Sequence, residues 1–388
     1  MTKKPAASVL LVRWYDYTKW LLERVDSFPK NQRFIFGTRL VDAVLSSVGV
    51  ISYYLQLDSI CSTGAISKQV DFNYMKILKT LLTITAGACA LASSASAMID
   101  IQTSYVGDAG NANDTSGYGG VSYDYHVGTY EVTNNQYVEF LNATASTDTH
   151  GLYNASMSTS GITRVGSSGS YTYTVNVGFG DKPVNYVSFW DAARFTNYLT
   201  TGGTESGVYV LTPTGISNNT ITRDATAWNA GGVAVASVDE WYKAAYYQPF
   251  GAGGDTDSYW QYPTASNSIT TADANYDKSV GTLTDVGTYS GDASYYGTFD
   301  QGGNVWEWND AIVSTSRRGL RGGAFNVNGD DLLQSSAQEN YLPTAENNRL
   351  GFRISSLAPI PEPSTYAAML GCSALAVAIM RRKGRRTL

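Results

Sequence analysis

The stretch GTFDQGGNVWEWND (Gly297–Asp310) sets Trp306, Glu307 and Trp308 directly behind a Gly302-Gly303-Asn304 turn. Two indoles bury large area and the glycines allow a tight backbone, so this segment can anchor a fold that is poor in helices. The surrounding composition agrees. The 388 residues include 38 Gly and 28 Tyr, with 43% hydrophobic and only 15% charged, well under the roughly 25% charged of an average soluble domain. Tyrosine, Ser, Thr and Asn therefore carry the surface, a pattern that suits an exported protein. The formal net charge of −6 provides no basic footprint for phosphate backbones, and nucleic acid is not an expected partner.

Outward from that segment, residues 98–358 read as one loop-rich α+β domain. Helix patterns are few: Asn134 to Ala143, Ser188 to Thr200 and Val238 to Tyr247, with Ser188 and Ser237 placed as N-caps. Tyr171 to Val177 is a short apolar-aromatic run between stretches dense in Gly, Ser, Thr and Asn, and Gly166 to Ser170 reads as a turn. Asp239-Glu240 is a helix-start feature, because adjacent helical residues do not share a face. His126 and His150 have no ligand spacing and read as ordinary packed or surface residues.

The flanks carry targeting signals. Met75 to Lys79 is a basic start, Thr80 to Leu91 an apolar run, and Ala95 and Ala97 stand at the −3 and −1 positions, so residues 75–97 form a secretory signal peptide. Met75 is then the expected biological start, with residues 1–74 an upstream reading frame or a gene fusion. Residues 13–45 show apolar positions at helical spacing around Phe28-Pro29. That fragment resembles the opening of the four-helix accessory proteins of diversity-generating retroelements. In residues 359–388, PEPS (Pro361–Ser364) precedes an uncharged run from Thr365 to Met380 and a basic cluster from Arg381. A single hydrophobic helix there is about 24 Å long, and its basic end should stay cytoplasmic. The order resembles a PEP-CTERM sorting signal, which implies export to the cell envelope or extracellular matrix of a Gram-negative bacterium, a membrane stage, and an exosortase-type partner. Cys61, Cys89 and Cys372 all fall outside the mature domain, leaving it no disulfide or thiolate site.

Five segments share one further resemblance: GTYEVTNNQYVEFLNA (Gly128–Ala143), KPVNYVSFWDAARFTNYL (Lys182–Leu199), VASVDEWYKAAYY (Val235–Tyr247), the Gly297–Asp310 stretch, and LRGGAFN with NNRLGFRI (Leu320–Ile354). In order and spacing they are similar to the formylglycine-generating-enzyme (sulfatase-modifying-factor) family. The resemblance implies an irregular, C-type-lectin-like fold. It also implies calcium held by the Asp300 and Glu307 side chains and the Gly303 and Val305 carbonyls, oxygen donors that suit a hard cation. A second centre would use Asn275 and the Tyr276 carbonyl, with Asp277 or Asp285 as its acid.

The family's oxidases use a cysteine pair and copper between the RGG and GFR motifs. Here Arg321–Arg353 contains no cysteine, and Val327 and Leu332 stand nearest those thiols. Neither can ligate Cu(I) or perform thiol redox chemistry. No copper and no formylglycine generation are therefore expected. Two histidines likewise cannot build the three-histidine iron site of the related sulfoxide synthases. The expectation is a non-catalytic exported domain that binds a glycan or a surface protein through the segment from Phe325 to Tyr341. Its candidate contacts are Asn326, Asn328, Asp331, Gln334, Asn340 and Tyr341, residues suited to adaptable hydrogen bonding. An enzyme with a chemistry independent of the cysteine pair, and a structural matrix component, are the competing readings. A solvated loop without a ligand is the plain alternative for the segment itself.

Overall fold

The computed structural model describes residues 99–360. The retroelement-like fragment, the signal peptide and the hydrophobic tail helix lie outside the described residues. Among those described, no helix is long and apolar enough to cross a membrane.

Three small sheets and several short helices make up an α+β, loop-rich domain. One sheet runs β1 (Thr103–Val106), β2 (Tyr125–Gly128), β10 (Ile354–Ser356), β5 (Val233–Val235), all antiparallel. Another runs β8 (Glu339–Tyr341), β7 (Arg317–Arg321), β6 (Trp306–Ser314), β9 (Leu350–Phe352), with β6 and β9 parallel. The hairpin of β3 (Ile162–Val165) and β4 (Thr172–Val175) stands apart, turned by the Gly166–Ser170 segment. β9 and β10 are separated by Arg353 alone, so this one arginine links the two larger sheets.

The helices begin where the sequence caps them. α1 (Asn134–Thr144), α3 (Phe189–Thr201) and α6 (Val238–Tyr246) start behind Thr133, Ser188 and Ser237, each closing a capping box with the third residue of its helix. The shorter α2 (Met157–Ser160), α4 (Pro213–Asn218) and α5 (Ala225–Asn229) complete the set. α3 is the central element: every residue from Phe189 to Tyr198 is buried, and it packs against α1, β5 and β6. A helix buried on all sides must be apolar throughout or satisfy its polar groups locally. Asn197 does the latter, binding the Thr204 and Tyr209 carbonyls and the Tyr209 amide.

Asp191, the third residue of α3, accepts from the Ser188 amide at 2.9 Å and hydroxyl at 2.6 Å. Burial nevertheless pushes its carboxyl up to about 7. An acid raised on folding binds its proton more tightly in the native state, so stability falls as pH rises from about 4 to 7. Asp191→Asn, which keeps the cap, should flatten that fall by up to a few kcal/mol. Urea denaturation at pH 4.5 and pH 7 measures it, and an unchanged slope would refute it.

The Asp239-Glu240 pair does more than start a helix. Glu240 is fully buried and pairs with Arg223 at 2.7 Å while accepting from Ser355 and Tyr123. Burial alone would raise its carboxyl, but Arg223, the Ser237 amide and the Ser355 hydroxyl overcome that and draw it down to about 2. Arg223 also meets Asp310 at 2.7 Å. His150 lies 3.3 Å from Glu205 at a half-exposed position, and His126 lies on β2 beside the Tyr105 ring.

Candidate functional site

β6 is buried on both faces at its start, and the two faces differ in chemistry. Trp306 and Trp308 point into the apolar core, where the Trp308 ring meets Phe189 edge-on at 6.3 Å. Glu307, on the other face of the pleat, pairs with Arg353 at 2.6 Å, both side chains having no exposed surface. Glu307 Oε2 also accepts from Trp241 Nε1 of α6 at 2.8 Å. The turn ahead of β6 is tight for a steric reason. Gly303 has φ +88°, and a Cβ there would sit 2.3 Å from the Asn275 carbonyl oxygen. Asp300 and Asn304 share that left-handed backbone, at φ 58° and 55°.

The calcium set implied by resemblance is tested by these contacts. Glu307 departs from it: both of its oxygens accept from Arg353, so a cation at Glu307 would face a guanidinium charge within the same contact shell. Asp300 is differently placed. Its Oδ2 accepts from the Gly287 amide at 2.6 Å, and burial pushes its carboxyl up to about 6. At the second centre, Asn275 Oδ1 is buried without a hydrogen-bond partner, while its amide donates to the Thr282 carbonyl and Asn304 Oδ1. The Tyr276 carbonyl already accepts from Ser279. Asp285 pairs with Lys182 at 3.1 Å, and Asp277 is exposed. Among the described residues no group of three or more His, Cys, Asp or Glu side chains is placed to hold a metal ion.

The segment between the RGG and GFR motifs divides in two. Its first part folds back on the loop that precedes β6: Lys278 N donates to the Phe325 carbonyl, Tyr262 donates to Asp330 at 2.7 Å, and Gln334 donates to the Tyr262 hydroxyl at 3.0 Å. Asn328 and Asp331 are exposed there, whereas Asn326 is half-buried with its Oδ1 unpartnered. Its second part is the short edge strand β8, where Asn340 and Tyr341 pair across to Gly319 and Arg318. The candidate residues thus fall on two neighbouring stretches with separate contacts. Of the two apolar residues expected nearest the oxidase thiols, Val327 is 6% exposed within the main core and Leu332 packs against it.

Two contributors were not visible in the sequence. Tyr118, from the loop between β1 and β2, donates to Gln338 at 3.0 Å, 220 residues away, and lies over the Arg321 guanidinium at 4.6 Å. Tyr262 bridges Asp330 and Gln334 from the irregular stretch after α6. No local signal marks either residue, because each role depends on a distant partner.

The family described as sulfatase-modifying factor enzyme 1-like domain matches residues 98–356. The chain belongs to that family. Solved structures similar to this sulfatase-modifying factor domain include Treponema denticola variable protein 1, at 19% identity and a TM-score of 0.44 over 66% of this chain and 95% of that one. CarF matches at 17% identity and 0.45, over 67% and 100% of the two chains. PvdO from Pseudomonas aeruginosa matches at 14% and 0.38, over 66% and 91%. No curated protein matches the sequence.

Proposed function

We propose that the sulfatase-modifying factor domain is a non-catalytic recognition module, exported to the cell envelope or matrix, that binds a glycan or protein partner through residues 326–341. The observation that carries this reading is the absence of cysteine between Arg321 and Arg353, where core-packed Val327 and Leu332 lie beside the exposed Asn328 and Asp331. Apolar side chains at those positions supply no nucleophile and no redox couple. The polar residues around them stand on short, anchored loops, a scaffold on which recognition residues are commonly carried. Export rests on residues 75–97, and surface retention on the PEP-CTERM-like tail and an exosortase-type partner.

The test is equilibrium binding of the secreted protein to a glycan panel and to the producing cell's extracellular polymer. Replacing Asn328, Asp331 and Tyr341 together by alanine should weaken saturable binding at least about tenfold, roughly 1.4 kcal/mol. Binding that survives all three substitutions would overturn the assignment of the surface. Turnover of a glycan or peptide by the purified protein would instead favour the enzyme reading.

A further inference from the structure

The described domain is far more acidic than the chain that contains it. Residues 99–360 hold 26 of the 33 acidic side chains but only 11 of the 27 Lys and Arg, a formal net charge of −15 against −6 for the whole. The cations that remain are mostly spent inside. Arg194, Lys243, Arg318, Arg321 and Arg353 are buried, and among the described residues only Lys278 and Arg317 are exposed. Eleven acids are exposed. The field outside such a surface is negative and draws positively charged partners.

One exposed patch couples that field to aromatic rings. Tyr105 on β1 is 55% exposed and donates to Asp124 at 2.7 Å. Its ring flanks the following turn so closely that a Cβ on Gly107 would lie 3.3 Å from it. At the same turn Tyr296 donates to Asp108 at 2.8 Å, and its ring meets the 42%-exposed Tyr295 edge-on at 5.0 Å. Ser104 ties the two stretches together by donating to the Gly297 carbonyl at 2.9 Å. Asp108 and Asp124 are exposed, and their donors are the phenols and the Ala109 amide. Lys243, a cation that both acids sense, is itself buried and donates to the Asp108 backbone carbonyl at 2.9 Å.

Exposed tyrosine faces and carboxylates in one patch match an ammonium twice, by attraction to the ring quadrupole and by charge-assisted hydrogen bonds. A phenol that donates to a carboxylate is also more electron-rich, which strengthens its hold on a cation. The same rings can stack on the apolar face of a sugar, as large contact surfaces with little conformational freedom to lose. Rings alternating with acids suit a polymer that repeats a sugar face and a positive charge. We propose that the surface of Tyr105 and Tyr295 with Asp108 and Asp124 binds an ammonium-bearing glycan, a polymer of de-N-acetylated amino sugars. This surface lies on β1, the turn after it and the 295–297 stretch, and the assignment is independent of the recognition segment at residues 326–341.

Calorimetric titration of the full-length chain with a glucosamine hexamer, its fully N-acetylated counterpart and hexalysine tests the assignment. Wild type should bind the glucosamine hexamer saturably, with an affinity that falls as salt rises. The acetylated hexamer, which keeps the sugar faces and loses the charges, should bind at least about tenfold more weakly. Tyr105→Ala with Tyr295→Ala should weaken the glucosamine hexamer at least about fivefold. Asp108→Asn with Asp124→Asn, which keeps acceptors for both phenols, should weaken it similarly and flatten the salt dependence. Circular dichroism of each variant separates loss of contact from loss of fold. The assignment fails if wild type does not bind the glucosamine hexamer, if the acetylated hexamer binds equally well, or if both folded double variants bind like wild type. Hexalysine binding as tight as the glucosamine hexamer would make the surface a site for basic peptides and overturn the glycan assignment.

Discussion

Arg353→Leu is expected to destabilise the domain by about 3–5 kcal/mol, the usual effect of removing one partner from a buried ion pair. The substitution leaves the buried Glu307 carboxyl with Trp241 as its remaining side-chain donor, and strips donors from the Gly128, Thr129 and Phe299 carbonyls. It also removes the side-chain tie between the two larger sheets, since the guanidinium bonds both Glu307 on β6 and the Gly128 carbonyl on β2. Chemical denaturation at pH 7 measures the loss. The double variant Arg353→Leu with Glu307→Leu should recover much of it, because the uncompensated charge is removed along with its partner. A single-variant loss below about 1 kcal/mol would mean that water or a neighbouring group already shields Glu307.

The parts of this fold that could be read in advance are those written in neighbouring residues. Ser188 and Ser237 cap helices because the bond each accepts comes from three residues away. The hairpin turn at Gly166–Ser170 is equally local. The roles of Glu240 and Glu131 could not be read in that way. Glu240 is the first-turn acid its place in the sequence suggests, closing the capping box with Ser237, and its acceptors also serve Arg223, 17 residues away, and Ser355, 115 away. Glu131 lies within GTYEVTNN without a charged neighbour, and its burial near the charges of Asp300, Glu307 and Arg353 joins it to residues far along the chain. The stretch from Tyr247 to Val305 has almost no regular structure and is held mainly by bonds between loops, which leave no periodic trace. The recognition segment was legible as a polar loop. Its division into a part held by Tyr262 and an edge strand was not, because Tyr262 precedes it by 68 residues at Asp330.

Trp308→Ala should cost about as much as the loss of Arg353, about 3–5 kcal/mol, through packing in place of charge. Trp308 is fully buried, its Nε1 donates to the Val187 carbonyl at 3.0 Å, and its strand neighbours are Leu320 on β7 and Phe352 on β9. Alanine removes the indole from a position fixed by three strands and α3, where collapse around the cavity is limited and the penalty stays near the upper end. Trp308→Phe separates the two contributions: it retains most of the packing and loses the bond to Val187, so it should destabilise by about 1–3 kcal/mol. Equal destabilisation by Phe and Ala would place the energy in the Val187 bond and contradict the packing argument.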